Sequence, residues 1–483
     1  MLKDLKTKLS LFAILWILVT LGFAGPSYAS VYAYVSNSFD NTVSVIRTSD
    51  STVVSTVAVG EWPYGVTVSP DGEYVYVSNS GDDTVSVIRT CDNTVTATIS
   101  VGASPGGIAV SPDGTNVYTA NNDDNTVSVI DTSDYTVIAS VDVGLWPEGL
   151  VPTPDGMNLH VVNTGDGTVS VIRVSDLSVI ASVKVGEWPY GVAASPDGEH
   201  IYVSNTSDNT VSVIRTSDNA VVDTVKVGIR PIGIEVTPDG NYVYVAASRD
   251  DSVSVIRTSD NSVIATVEVG SWPWGVAVSP EGDYCYVSNI ADDTVTVVRT
   301  IDNLTTDVVP VGGDPYSFGK FVSHISDEVE WVNTVVDGAR IGIRGKKNVT
   351  KIDSLSSVDP NTIMDKIDKP ETLPFGLLSF SLAVGTPGDE AEVVVYLSEP
   401  AKSGDKWYKY DSVNGWQDYS AHSWFSADRR SVILELQDGG YGDADGVANG
   451  VITDPSGLGS SGGSSSSGGG GGGGCFIASA IPW

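Results

Sequence analysis

The sequence predicts an all-β protein, and three observations support this fold class. A motif of strand, turn and strand occurs seven times with a period of 42 residues, first as Tyr34-Val35-Ser36-Asn37, Asp40 and Val43-Ser44-Val45-Ile46-Arg47. The later copies start at Tyr76, Tyr118, His160, Tyr202, Tyr244 and Tyr286. Turn residues such as Pro70-Asp71-Gly72 recur between the strands. Runs such as Thr84–Ile88 alternate with period two, as half-buried strands do, and no helical spacing of apolar residues extends beyond a few positions.

One period accommodates four short strands. In residues 60–101 they are predicted at Tyr64–Ser69, Tyr74–Val77, Thr84–Ile88 and Thr94–Val101. A four-stranded unit repeated at this length is typical of a β-propeller blade. A proline opens each innermost strand, which predicts seven blades: Pro63, Pro105, Pro147, Pro189, Pro231, Pro273 and Pro315.

The two ends of the repeat array are incomplete in complementary ways. The N-terminal unit, Val31–Val59, has three strands but no innermost one, and the Pro315 strand has no repeat strands after Val322. We therefore expect the closing blade to combine the Pro315 strand with the three N-terminal strands, because this pairing leaves no long exposed sheet edge.

The repeat motifs Y-V-S-N, V-S-V-I, V-G-x-x-P and S-P-D-G resemble the repeat of the YVTN family of β-propellers, over roughly residues 31–323. The resemblance implies a seven-bladed propeller in an exported or surface protein of bacteria or archaea. We assign the propeller domain to residues 30–323.

Residues 1–29 are typical of a secretory signal peptide, with Lys3, Lys6 and Lys8 ahead of the apolar centre Leu11–Ala24. An uncleaved membrane anchor is the alternative, although the apolar centre is short for a membrane span. The formal net charge is −34 and the pI is about 4.2. Such a charge excludes a nucleic-acid partner, which needs a basic surface. From the signal peptide we expect a secreted or cell-surface protein.

A second, smaller β-rich domain of sandwich-like type is predicted at residues 326–455. Its strands are expected at Phe380–Val384, Glu392–Leu397, Trp407–Tyr410 and Ser431–Leu436. The run Lys406-Trp407-Tyr408-Lys409-Tyr410, the pair Gly415-Trp416 and the segment Asp438–Pro455 resemble the choice-of-anchor U domain. That resemblance implies a place just before a surface-sorting tail.

The C-terminal tail follows a flexible linker. Residues 459–474 are all glycine and serine, a composition that behaves as a random coil. In residues 475–483, the run Cys475-Phe476-Ile477-Ala478-Ser479-Ala480 resembles a CFI-box segment. The family's segment normally continues beyond this point. Membrane association is expected only through this tail, and a free exposed thiol at Cys475 is the alternative.

One set of oxygen ligands in the second domain has the spacing of a calcium loop. Asp443, Asp445, Asn449 and Asp454 fall at relative positions one, three, seven and twelve. Val447 at position five departs from the pattern, and a glycine-rich hairpin explains the same residues. Calcium is the one cofactor that the sequence suggests.

Candidate ligand-binding residues lie in the loops that lead into the innermost strands, on the top face of the propeller. These are Trp62, Tyr64, Trp146, Trp188, Tyr190, Trp272, Trp274 and Tyr316. With Glu61, Glu148 and Glu187 nearby, such aromatic rings can stack on sugars or hold a peptide. The alternative is that each tryptophan packs as a wedge between two blades.

An aspartate occupies the same turn position in all seven copies: Asp40, Asp82, Asp124, Asp166, Asp208, Asp250 and Asp292. This uniformity predicts a structural role, in which each carboxylate accepts hydrogen bonds from the backbone of its own turn.

We predict from these observations an exported, surface-associated binding or scaffold propeller, whose partner is a glycan or a surface protein. The chain is predicted not to be an enzyme, because none of its four histidines lies in a top-face loop and no catalytic motif is visible. The alternative is a propeller enzyme of lactonase-like or quinoprotein-like type, since the same fold supports catalysis elsewhere.

Overall fold

The structure is a computed structural model. It describes residues 31–325, 330–333, 340–347, 349–358, 377–384, 390–397, 400–403, 405–411, 415–426, 431–437 and 451–459.

Twenty-eight strands follow one another between residues 31 and 324. In chain order they are β1 (Val31–Asn37), β2 (Thr42–Arg47), β3 (Thr52–Ala58), β4 (Pro63–Val68), β5 (Tyr74–Asn79), β6 (Thr84–Arg89), β7 (Thr94–Ser100), β8 (Pro105–Val110), β9 (Asn116–Asn121), β10 (Thr126–Asp131), β11 (Val137–Asp142), β12 (Pro147–Pro152), β13 (Asn158–Asn163), β14 (Thr168–Arg173), β15 (Ser178–Lys184), β16 (Pro189–Ala194), β17 (His200–Asn205), β18 (Thr210–Arg215), β19 (Ala220–Lys226), β20 (Pro231–Val236), β21 (Tyr242–Ala247), β22 (Ser252–Arg257), β23 (Ser262–Glu268), β24 (Pro273–Val278), β25 (Tyr284–Asn289), β26 (Thr294–Arg299), β27 (Leu304–Pro310) and β28 (Val322–His324). A single 3₁₀ turn, Ile290–Asp292, lies between β25 and β26.

These strands form seven four-stranded antiparallel sheets, which confirms the predicted propeller and its blade number. Blades 1 to 6 are β4–β7, β8–β11, β12–β15, β16–β19, β20–β23 and β24–β27. Blade 7 is built from β28, β1, β2 and β3. Each blade therefore runs outward from an innermost strand that borders the central channel.

The hydrophobic core lies between neighbouring blades. In blade 4, for example, the two middle strands are buried along most of their length, whereas the outermost strand is mostly exposed. In one such layer, Ala193 and Tyr202 of blade 4 pack with Ile234 and Val236 of blade 5. The middle strands are buried because one face of each sheet contacts the preceding blade and the other face contacts the following blade.

The closing blade joins the two ends of the repeat array, but its innermost strand is interrupted. Val68 pairs with Val75 five residues after Pro63, whereas Val322 pairs with Ala33 seven residues after Pro315. The closing strand therefore carries two more residues than its counterparts. They are accommodated in a bulge, residues 317–320, where Ser317 and Gly319 have φ values of 45° and 119°. The sequence predicted one regular innermost strand from Pro315 to Val322, whereas in the structure this bulge interrupts the strand.

The C-terminal part adds further β-structure, as predicted. Its strands are β29 (Glu330–Asn333), β30 (Arg340–Lys347), β31 (Val349–Val358), β32 (Leu377–Val384), β33 (Glu390–Leu397), β34 (Lys406–Asp411), β35 (Gly415–Asp418), β36 (Ser423–Phe425), β37 (Ser431–Gln437) and β38 (Val451–Gly459), with a 3₁₀ turn at Ser420–His422. They form two five-stranded sheets, β29-β30-β33-β37-β36 and β31-β32-β38-β34-β35. Side chains of both sheets, among them Val393, Phe380 and Trp407, share one buried core.

Within the part of the chain that the structure describes, no helix has the length and hydropathy needed to cross a membrane.

Candidate functional site

The innermost strands bring one residue from each blade to the upper end of the channel. In blades 1 to 6 this strand begins at a proline and has an irregular register directly after it, as between Pro63 and Val66 in β4. A glycine follows two residues after the proline in blades 1 to 6, and it lets the strands approach closely. A Cβ atom at Gly107, for example, would overlap the carbonyl oxygen of Glu148. The residues between proline and glycine, with their counterpart in blade 7, are Tyr64, Gly106, Glu148, Tyr190, Ile232, Trp274 and Tyr316.

Four of the candidate residues meet inside the channel. The ring centroids of Tyr64 and Tyr316 are 5.2 Å apart, those of Trp274 and Tyr316 5.1 Å, and those of Tyr190 and Trp274 5.6 Å. These spacings are those of tilted and edge-on aromatic pairs. The four rings therefore form one cluster that narrows the upper channel.

A chain of hydrogen bonds runs through this cluster. The Trp274 indole Nε1–H donates to the Tyr64 hydroxyl oxygen at 3.3 Å, and the hydroxyl oxygens of Tyr64 and Tyr190 are 2.5 Å apart. Tyr190 in turn is hydrogen-bonded to the carboxyl group of Glu148. An ionised Glu148 carboxylate can only accept hydrogen bonds, so in that state Tyr190 donates to Glu148 and Tyr64 donates to Tyr190. The donors of the ionised state therefore point from Trp274 toward Glu148.

Glu148 is the acidic group at the end of this chain. Its Oε1 accepts a second hydrogen bond, from Nδ2 of Asn122, at 2.8 Å. Burial among the aromatic rings raises the pKa of the Glu148 carboxyl to about 8, and the hydrogen bond from Tyr190 opposes this rise. Burial also raises the pKa of Tyr64 and of Tyr190 well above the ordinary range, so both hydroxyls stay protonated. Glu148 is therefore the group of this cluster that changes its protonation state near neutral pH.

A gap in the aromatic wall lies beside the carboxyl group. Gly106 occupies the channel position of blade 2, next to Glu148, and a Cβ atom there would lie 3.1 Å from Oε2 of Glu148. Blade 2 also has Ser104 at the rim position where four other blades carry tryptophan. The Glu148 carboxyl group therefore packs directly against the backbone of Gly106, with no side chain between them.

Phe318 forms the floor of the aromatic cluster. The two additional residues of the closing strand direct its ring across the channel, against Gly149 of blade 3. Its ring centroid is 6.0 Å from that of Tyr64 and 5.7 Å from that of Tyr190. Only 6% of Phe318 is exposed. The channel is therefore divided into an upper and a lower chamber at this ring.

The other four candidate residues form an exposed rim. Trp62, Trp146, Trp188 and Trp272 expose 64%, 50%, 53% and 50% of their surface. The wedge interpretation is therefore wrong, because a side chain packed between blades would be buried. All four have φ values between 51° and 55°, a left-handed conformation that bulky residues seldom adopt. Trp146 and Trp188 lie together, with ring centroids 6.2 Å apart.

The repeated aspartates hold this rim in place. Asp82 accepts a hydrogen bond from the backbone N–H of Glu61, and Asp208 from that of Glu187. The other five make the equivalent bond to the loop before an innermost strand. This result corrects the expected bond within the aspartate's own turn. In blades 1, 3 and 6 the side chain of a nearby asparagine or aspartate also accepts a hydrogen bond from the backbone N–H of the tryptophan. The rim backbone is therefore fixed at two successive residues.

The candidate calcium site lies largely outside the described residues. Asp443, Asp445 and Asn449 are not described, and of Asp454 only the backbone is, within β38. In the described part of the chain, no three His, Cys, Asp or Glu side chains come together as a metal-binding group.

Sequence reasoning missed three features of the site. Asn122 and Phe318 were not singled out, and Glu148 was named only as a neighbouring acid. Each of them departs from the repeat: Asn122 replaces Ser80, Thr164 or Thr206 of other blades, and Glu148 stands in a column where three of seven residues are tyrosine. The sequence thus marks these positions as differences between copies of the repeat. It does not show that their side chains lie together in the folded protein.

The raised pKa of Glu148 has a consequence for stability. The folded protein keeps the proton up to about pH 8, whereas the unfolded chain releases it near the ordinary value of 4.5. The Glu148 carboxyl therefore makes its full contribution to the free energy of unfolding below about pH 4.5. That contribution is lost as the pH rises through 8. We expect Glu148→Gln, which has no ionisable group, to gain melting temperature relative to the native protein between pH 4.5 and 8.5. Thermal unfolding at both pH values measures this, with Glu187→Gln on the exposed rim as control. An equal difference at both pH values would contradict the assignment.

Comparisons with known proteins extend these observations. A family model described as "Lactonase, 7-bladed beta-propeller" matches residues 27–137 and 223–316. These segments include Tyr64, Gly106, Arg230 and Trp274, while Glu148 and Tyr190 lie between them. The comparison with curated proteins gave no match.

Two solved structures share the fold. A structure described as "Kuenenia stuttgartiensis Hydrazine Synthase" is 23% identical with a TM-score of 0.53, and the match covers 58% of this chain and 98% of that chain. A functionally unknown protein from Desulfotomaculum acetoxidans is 16% identical with a TM-score of 0.54, and the match covers 61% of this chain and 99% of the other.

The prediction that the chain is not an enzyme is contradicted by the family match. That prediction relied on the absence of histidine-centred motifs, and it gave no weight to a carboxyl group enclosed by aromatic side chains. Over the two matched segments, the chain is similar to the seven-bladed propellers of the lactonase family.

Proposed function

We propose that this protein is a lactonase-like hydrolase that opens a cyclic ester at the upper end of the propeller channel. The observation that carries the proposal is Glu148: an acid with a pKa of about 8, held by Asn122 and Tyr190 at the channel position next to Gly106. A general base works best when its pKa lies near the working pH. The match to the lactonase family supports the same reaction class.

Glu148 takes part in two proton transfers, first as a base and then as an acid. The ionised carboxylate takes a proton from a water molecule, and the oxygen of that water forms a bond to the lactone carbonyl carbon. The bond between this carbon and the ring oxygen then breaks. Glu148 returns its proton to the departing ring oxygen, which becomes a hydroxyl group. One lactone and one water thus give one hydroxy acid, and Glu148 is regenerated.

The remaining groups of the cluster orient and hold the base. Asn122 and Tyr190 donate hydrogen bonds to Glu148, and such bonds fix the direction of a carboxyl group. Tyr64 and Trp274 keep the Tyr190 hydroxyl in place through the preceding bonds of the chain. At the rim, the positive charge of Arg230 acts on Tyr190 and Tyr316. We assign to Arg230 the stabilisation of the negative charge that develops on the carbonyl oxygen.

The exposed tryptophans favour a substrate derived from a sugar. Their faces provide large apolar areas that stack on sugar rings, next to acidic groups that accept hydrogen bonds from hydroxyls. Because the rim backbone is fixed by hydrogen bonds, little freedom is lost when a ligand binds. We therefore name polyhydroxylated lactones as the substrate class.

A panel of lactones tests this function. The full chain should hydrolyse an aldonolactone such as glucono-δ-lactone faster than an aromatic lactone such as dihydrocoumarin, measured as acid released above the uncatalysed rate. In the double variant Trp188→Ala, Trp272→Ala, we expect KM for the sugar lactone to rise about tenfold while the melting temperature stays nearly unchanged, since both side chains are half exposed.

The matched control for these substitutions is Phe39→Ala, which removes an exposed aromatic ring outside the tryptophan set. It should leave KM unchanged. If the panel shows no hydrolysis above the uncatalysed rate, the hydrolase proposal fails.

The tryptophan rim also favours a second candidate function, the retention of a glycan or surface protein by an exported propeller. A glycan array on the full chain distinguishes the two. Binding that is lost in the tryptophan variant, without lactone hydrolysis by the native protein, would support the binding role over the enzyme.

A further inference from the structure

A cavity lies in the lower chamber of the channel, on the other side of Phe318 from Glu148. Its volume is about 640 Å³, and Phe318 is part of its lining. Cavities of this size accommodate small organic ligands. The chamber is thus large enough for a ligand of its own, and the hydrolase site does not use it.

The wall of this cavity is mostly apolar. Leu150, Ile234 and Val276 come from the innermost strands of three blades, and prolines of the turns between the first and second strands surround its lower end. Such a wall excludes water from the apolar part of a ligand.

One acidic side chain interrupts the apolar wall. Glu235 stands at a position where the other complete blades carry Thr67, Ala109, Val151, Ala193 and Ala277. Burial raises the pKa of the Glu235 carboxyl, and the charge of Lys320 opposes this rise. Among the described residues, Glu235 has no side-chain hydrogen bond and no ion pair. An acidic side chain in an apolar wall lowers stability, so its presence in one blade requires a reason.

The other charged groups at the cavity do not neutralise Glu235. Lys320 is exposed, and no ion pair joins it to Glu235 within the described residues. His324 is directed elsewhere, since its Nε2 is 2.9 Å from Oε1 of Glu281. A cationic ligand would therefore supply the charge that Glu235 lacks. The net charge of −34 also favours the approach of cations over anions.

We propose that the lower chamber binds a small organic cation, an amine with an apolar body, whose ammonium group pairs with Glu235 while its apolar part contacts the walls below Phe318. This site is separate from the proposed hydrolase site, so either proposal can fail without the other.

Three ligands of matched size test the proposal: 4-phenylbutylammonium, 4-phenylbutanol and 4-phenylbutanoate. Isothermal titration calorimetry with the full chain should show the ammonium compound binding about tenfold or more tightly than the alcohol, because a hydrogen bond between charged partners is stronger than a neutral one. The carboxylate should bind weakest. In Glu235→Gln the preference for the cation over the alcohol should largely disappear.

Two further variants localise the effect. Glu281→Gln removes one negative charge at the same end of the propeller but outside the cavity wall, and it should keep the preference. Glu148→Gln alters the upper chamber and should keep it too. The proposal is overturned if none of the three compounds binds, if the cation and the alcohol bind equally, or if the preference is lost in Glu148→Gln and kept in Glu235→Gln.

Discussion

Glu148→Gln should lower kcat for lactone hydrolysis by about 10²–10⁴-fold, the usual contribution of a general base. Glutamine has nearly the same shape and still accepts the hydrogen bond that Asn122 donates to Oε1. It cannot take a proton from water. The rate constant is therefore expected to fall while KM changes little, and steady-state kinetics on the sugar lactone measures both.

The pH dependence of the native enzyme provides an independent check. Because the base is active when ionised, kcat should rise with pH and level off above about pH 8, where the Glu148 carboxyl is ionised. Glu187→Gln, on the exposed rim, is the matched control and should keep both rate and profile. If the Glu148→Gln protein keeps the native kcat, the Glu148 carboxyl group is not the general base.

Phe321→Ala should lower the free energy of unfolding by about 3–5 kcal/mol, the range for truncating a buried phenylalanine. Phe321 is fully buried in the core cluster that includes Tyr34, Val45 and Val66. Its carbonyl oxygen also accepts a hydrogen bond from the backbone N–H of Tyr34 at 2.8 Å. The residue therefore joins the last segment of the propeller to the first strand, and a cavity there weakens ring closure.

Urea unfolding followed by tryptophan fluorescence measures this change. Phe39→Ala is the matched control, because that ring is 79% exposed, and it should shift the unfolding free energy by less than about 0.5 kcal/mol. If the alanine variant does not fold, Phe321→Leu keeps most of the volume and should cost less than about 1.5 kcal/mol. A loss below 1 kcal/mol in Phe321→Ala would show that closure does not depend on this contact.

The sequence predicted the blades well because the repeat carries the information many times. Seven prolines and seven Y-V-S-N-like strands fix both the number of blades and their register. The same redundancy could not reveal the bulge at residues 317–320, because the closing strand occurs once and its pairing with β1 depends on residues almost 300 positions away.

The candidate site was predicted in part for a related reason. The aromatic residues of the channel and rim stand out as a column of Trp and Tyr, and sequence reasoning found them. Whether a tryptophan packs between blades or faces solvent depends on the left-handed backbone at that position, which the sequence does not show. Likewise, the aspartates look like local turn residues until the neighbouring loop is placed beside them.

The two additional residues of the closing strand have an implication for how this chain could have acquired its chambers. An array of identical copies would produce an open tube with sevenfold symmetry. Here the seam, the place where such a tube must be joined, also provides the partition, since Phe318 comes from it. A change at the seam alone is thus enough to divide a symmetrical conduit into two compartments.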